Sequence, residues 1–72
     1  MKKVALGIDI GGTNTDFAFV DREGNILLED RISTRNFAEA EVCVAVLCEK
    51  IKLDIKKFEE TPEIIGIGIG AL

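Results

Sequence analysis

The stretch Gly7-Ile8-Asp9-Ile10-Gly11-Gly12-Thr13-Asn14-Thr15-Asp16 decides how the rest of the chain is read. An apolar strand carrying a single carboxylate runs into a glycine pair, meets hydroxyl and amide side chains, and resumes as a second strand. Gly11 and Gly12 lack Cβ, so the oxygens of a phosphate can approach the backbone N–H groups closely. Thr13, Asn14 and Thr15 add side-chain donors. Asp9 accepts only when ionised and suits Mg²⁺, which takes one or two carboxylates and keeps several waters. A plain hairpin turn with a solvated Asp9 is the competing reading. Against it, a hairpin loop does not need that run of polar residues behind it, and an Asp inside an apolar strand needs a partner. No Gly-x-x-x-x-Gly-Lys-Ser/Thr motif occurs. Gly66-x-Gly68-x-x-Ala71 matches a relaxed dinucleotide fingerprint, but without the helix and acidic residue that should follow it.

Working outward, Val4 to Ile10 carries the aliphatic run of a buried strand, so the first strand spans about 3–10. The second, about 15–21, alternates Phe17, Phe19 and Asp21 on one face with Asp16, Ala18 and Val20 on the other. Arg22-Glu23-Gly24-Asn25 makes a hairpin turn in which Gly24 and Asn25 tolerate positive φ. The third strand, about 26–33, is polar at Glu29, Asp30 and Arg31, as a partly solvated or edge strand is. A helix over about 37–57 follows, with Asn36 as its cap and Glu39 placed to complete a capping box. Cys43, Leu47, Ile51, Ile55 and Phe58 recur at helical spacing, flanked by Val44 and Cys48, which lays the helix on a sheet. Beyond Thr61-Pro62-Glu63, residues 64–69 form an apolar strand of buried type. Strand, helix, strand implies a crossover that makes this fourth strand parallel to its neighbour. The fold class is α/β: a ribonuclease H-like βββαβ segment, an antiparallel three-stranded hairpin sheet followed by a crossover helix and a parallel fourth strand. The glycine-rich run at the end suggests an incomplete domain, the N-terminal piece of something larger.

Bulk properties bound the function. Seventy-two residues make one domain at most, and so small a domain buries only about 60% of its unfolded surface. Nine Lys and Arg against thirteen Asp and Glu give a net charge of −4, which argues against nucleic acid or an anionic membrane as partner. No stretch approaches the roughly 18 apolar residues of a membrane span, and Met1-Lys2-Lys3 leads into no secretory signal. Cys43 and Cys48, five residues apart on a helix, would hold their Cα atoms roughly 8 Å apart, beyond disulfide reach. With no His and two Cys, the composition argues against a zinc site. Reduced cysteines point to the cytoplasm.

Gly7 to Asn14 resembles the first phosphate motif of the sugar-kinase, actin and heat-shock-chaperone ATPase superfamily. More narrowly, the chain resembles the ROK family of repressors and sugar kinases, which includes bacterial glucokinases. Val20-Asp21-Arg22-Glu23-Gly24 is similar to the turn after that family's opening hairpin, and Gly66 to Ala71 to its later glycine-rich strand. The resemblance implies that Asp9 assists Mg²⁺, through water, and phosphate alignment, while Gly11, Gly12, Thr13 and Asn14 cradle the ATP phosphates. It implies that Gly70 and Ala71 border a sugar pocket. The reaction implied is transfer of the ATP γ-phosphate to a hexose hydroxyl, most simply of glucose, by a parent protein that is a cytoplasmic homo-oligomer.

Two departures stand out. Members with kinase activity usually carry Lys where this chain has Asp16, and Leu72 stands where the family has Pro. Thr15-Asp16 is instead similar to the opening of hydantoinase and oxoprolinase ATPase subunits, a second reading. A sugar-sensing ROK repressor is a third, although only six residues precede Gly7, too few for a DNA-binding helix-turn-helix. The family's catalytic aspartate and its sugar-contacting residues lie further along than residue 72. Asp21 precedes a surface turn, and Asp30 and Asp54 are expected on exposed faces, so none replaces that base. The segment is expected to be inactive alone.

Overall fold

The computed structural model describes residues 2–34 and 40–71. β1 is Lys3–Ile10, β2 Asn14–Val20, β3 Ile26–Ser33, α1 Ala40–Ile55 and β4 Glu63–Ala71. One four-stranded sheet has the order β3-β2-β1-β4, with β1 antiparallel to β2, β2 antiparallel to β3, and β4 parallel to β1. Two hairpins followed by a helical crossover are what the spacing of turns and apolar runs requires. The capping box at Asn36 and Glu39 lies outside the described residues.

Period-2 alternation sorts the sheet into two faces. Val4, Leu6, Phe17 and Phe19 are buried on one face, where Leu47 of α1 closes over them. Phe17 and Phe19 meet edge to face with ring centroids 6.2 Å apart, and Phe58 meets Phe19 the same way at 5.5 Å. Such pairs add about 0.5–1.5 kcal/mol beyond the area they bury. Phe58 reaches the core from just past the helix, which ends in tight i→i+3 turns: Lys56 N–H donates to the Leu53 carbonyl at 3.2 Å and Phe58 N–H to that of Ile55 at 3.2 Å.

Three expectations are corrected. Val44 and Cys48 do not join the core stripe but lie exposed, while Leu47, Ile51 and Ile55 carry the packing of the helix against the core. Asp54 is not on an exposed face: it is fully buried, with its carboxylate Oδ1 3.0 Å from Lys57 Nζ and 3.9 Å from Lys50 Nζ. Asp30 also turns toward α1, where Lys50 Nζ lies 3.0 Å from its Oδ2, so this ion-pair chain ties the helix end to β3. Lastly, β4 is an edge strand, and Ile65, Ile67 and Ile69 are 57%, 62% and 66% exposed. Val4 pairs with Ile64 but Ala5 with Gly66, so Ile65 is an extra residue in the register. From β4 the core cluster takes Ile64 and leaves Ile67 and Ile69 uncovered.

Candidate functional site

Gly11 to Asn14 turn the chain from β1 into β2, and hydrogen bonds hold that turn from both sides. Gly11 N–H donates to the Asn14 carbonyl at 2.9 Å, closing the turn on itself. Thr34 N–H donates to the Thr13 carbonyl at 2.9 Å, strapping the turn to the residue that follows β3. Beneath it, the hydroxyls of Thr15 and Thr34 lie 2.7 Å apart, with Thr15 only 1% exposed. Thr15 therefore spends its hydroxyl on the scaffold.

The two glycines divide the work. A Cβ on Gly11 would stand 2.9 Å from the Asn14 carbonyl oxygen, so only glycine lets the backbone close there. A Cβ on Gly12 would meet open space. The N–H of Gly11 is consumed inside the turn. Those of Gly12 and Thr13, both exposed, have no hydrogen-bond partner among the described residues. The turn thus presents two adjacent backbone donors to solvent on a backbone braced from behind, the arrangement by which successive N–H groups form an anion nest.

The registers place the remaining predicted residues around this turn. Asp9 of β1 stands opposite Asp16 of β2, and in the parallel direction beside Gly70 of β4, while Ile10 pairs with Ala71. Asp9, Gly70 and Ala71 therefore gather at one end of the sheet with the glycine turn. Asp9 is exposed and makes no ion pair or hydrogen bond among the described residues. No group of three or more candidate metal ligands occurs among them. One uncommitted carboxylate fits a Mg²⁺ ion that keeps most of its waters and travels with a nucleotide.

In the sequence Arg31 stands out only as polar strand surface, yet it belongs to the same end of the sheet. It stands opposite Asp16 in the register of β2 and β3, with Nε 2.5 Å from Asp16 Oδ1 and Nη2 3.4 Å from Oδ2. The Asp16 carboxylate raises the Arg31 guanidinium above its ordinary value, through the hydrogen bond first and the charge second. The Asp16 carboxylate is thus matched by a cation one strand away. Asp9, Asp16 and Arg31 thus form one transverse row on the face away from α1. That face is an open concavity of about 700 Å³ that Gly7, Ala18 and Gly68 also line.

The fold is that of an α/β protein with a glycine turn between its first two strands, and comparison with known proteins narrows it. The model of the ROK family matches residues 5–72, and this chain belongs to that family. It is similar to a glucokinase of Streptomyces coelicolor, 35% identical over 68 residues, an overlap covering 94% of this chain and 20% of that protein. A glucokinase of Streptomyces lividans matches with the same identity and coverage. Among solved structures, a protein assigned as a sugar kinase from Cytophaga hutchinsonii superposes with a TM-score of 0.67 at 31% identity, covering 93% of this chain and 21% of that one. The chain spans about a fifth of the length of these relatives. The resemblance of Thr15-Asp16 to another ATPase group needs no second family, since Arg31 accounts for Asp16 within this fold. Among the described residues, no helix is long and apolar enough to cross a membrane.

Proposed function

We propose that the chain is the N-terminal segment of an ATP-dependent, glucokinase-like hexose kinase and supplies its first phosphate-binding turn. The observation that carries this reading is the pairing of two unspent backbone donors, at Gly12 and Thr13, with the uncommitted carboxylate of Asp9 at the same sheet end. Glucokinases among the similar proteins support it.

In this reading Gly11 shapes the turn, Gly12 and Thr13 donate N–H groups to phosphate oxygens, and the Asn14 side chain adds a donor. Asp9 holds Mg²⁺ through water. When bound, ATP would supply the γ-phosphoryl group and Mg²⁺ would neutralise the charge that develops on it. Gly70 and Ala71, beside Asp9, border the sugar pocket. The base that accepts the hexose proton comes from outside these 72 residues, and the working protein is a cytoplasmic homo-oligomer.

The test is a coupled assay of ADP release by the full-length protein with ATP, Mg²⁺ and a panel of hexoses. Activity with glucose or a close relative is expected, and Asp9→Asn should lower kcat about 100-fold or more, as loss of a group that positions transition-state charge does. A full-length protein that consumes no ATP with any hexose would defeat the reading.

A further inference from the structure

Arg31 is the one cation among the described residues that line the concavity, which carries the carboxylates of Asp9, Asp16 and Glu29. Asp9 and Asp16 stand directly opposite each other on adjacent strands, where Cβ atoms approach to about 4.5–5.5 Å and like charges destabilise. Arg31, opposite Asp16 from the other side, takes that carboxylate with two donors and leaves Asp9 alone. The arrangement is not explained by stability. Both side chains are substantially exposed, 63% for Arg31 and 47% for Asp16, and such pairs contribute little to folding. What the pair changes is the field beside the glycine turn.

We propose that Arg31 is a positioning residue for nucleotide binding: by neutralising Asp16 it leaves Asp9 as the single active carboxylate of the row and keeps Asp16 from repelling the phosphates. The inference rests on the reading of this turn as a nucleotide site. An unmasked Asp16 acts against a polyanion at short range, and a divalent cation on the nucleotide screens it. Arg31 therefore matters most when the nucleotide arrives without its metal. Its loss should be undone by removing the charge it masks.

The experiment is calorimetric titration of ATP into the full-length protein, in EDTA and in excess MgCl₂, for wild type, Arg31→Ala, Arg31→Lys and the double variant Asp16→Asn/Arg31→Ala. Arg31→Ala should weaken ATP binding about tenfold in EDTA and no more than about threefold in Mg²⁺. Asp16→Asn/Arg31→Ala should return both values to within about twofold of wild type, and Arg31→Lys, which keeps the charge but not the two-donor fork, should fall between wild type and Arg31→Ala. The inference is overturned if Arg31→Ala binds as wild type does in EDTA, if its loss is the same in both media, or if the double variant does not recover. Arg31→Lys binding ATP as weakly as Arg31→Ala in EDTA also overturns it. If Arg31→Ala fails to fold, the double variant and Arg31→Lys carry the same comparison. A wild-type protein that binds no ATP in either medium defeats the nucleotide reading itself, and this inference with it.

Discussion

The hydroxyls of Thr15 in β2 and Thr34 beyond β3 meet at 2.7 Å under the glycine turn. The contact joins residues nineteen apart in sequence and lies in the same corner as the Thr34 N–H to Thr13 carbonyl bond. Thr15 is almost completely buried, so its hydroxyl has no water to fall back on. Thr15→Val keeps the shape and removes the partner. It should cost about 0.5–1.5 kcal/mol in urea unfolding with an unchanged m-value, the net cost of a lost hydrogen bond whose other partner, the half-buried Thr34 hydroxyl, can turn to water.

Gly11 and Gly12, adjacent in sequence, should respond oppositely to alanine. Gly11→Ala drives a Cβ to 2.9 Å from a backbone oxygen that cannot rotate away, so the turn must open, at about 1–3 kcal/mol. Gly12→Ala meets open space and should leave the unfolding midpoint within about 0.5 kcal/mol of wild type. On the proposed function it should still weaken ATP binding, because the methyl group stands beside the two donors. Unfolding curves and ATP titration on the same two proteins separate the roles.

The hairpins, the crossover and the position of the glycine turn were legible in the sequence because each rests on local signals: a period of two, turn residues, a helical stripe. The row Asp9, Asp16, Arg31 was not. Counting back from the turn, Val20 pairs with Ile26, and an unbroken ladder would set Asp16 against Asp30. A one-residue irregularity between Phe19 and Val20 slips the register, so Asp16 faces Arg31 while Asp30 turns toward α1. A slip of one residue exchanges the faces of a strand, and nothing in residues 26–28 announces it. The exposure of Ile67 and Ile69 was hidden for a different reason: an apolar run gives a strand's composition, not which neighbours cover it.

The buried Asp54 is a case where removing charge should help. Its carboxylate is fully buried, and neither oxygen has a well-formed hydrogen bond among the described residues, although Lys57 Nζ comes within 3.0 Å. Lys57 itself is 59% exposed and returns to water at little cost. Asp54→Leu should therefore be neutral or stabilising, since apolar replacements of buried ion pairs often are. Lys57→Ala strands the carboxylate with Lys50 alone at 3.9 Å and should destabilise by about 1–3 kcal/mol. Combining Lys57→Ala with Asp54→Leu should recover most of that loss, which thermal unfolding of the four proteins would show. Additive effects would mean the two side chains do not interact.

Acid should act on two carboxylates at opposite ends of β3's surroundings. Asp30 is held at about 2, well below its ordinary value, by the Asp54 side chain beside it first, then by the Arg31 N–H and Lys50. Asp21 is lowered chiefly by the Asn25 N–H, which it accepts at 2.9 Å, together with the Glu23 N–H at 3.0 Å in the turn between β2 and β3. A carboxylate whose folded value is depressed contributes stability that is complete above its unfolded value near 3.8 and is lost as pH falls through the folded one. For Asp30 the loss therefore runs from about pH 4 down to about pH 2. Asp30→Asn should be less stable than wild type at neutral pH, and the difference should shrink steadily across that window in urea unfolding followed by circular dichroism. On the alkaline side, Asp30 raises the Lys50 ammonium above 10.5, so its contribution is complete below that value and declines only above it. A wild-type to Asp30→Asn difference that stays constant between pH 4 and 2 would show that the Asp30 charge, and with it the clip between β3 and the end of α1, carries no stability.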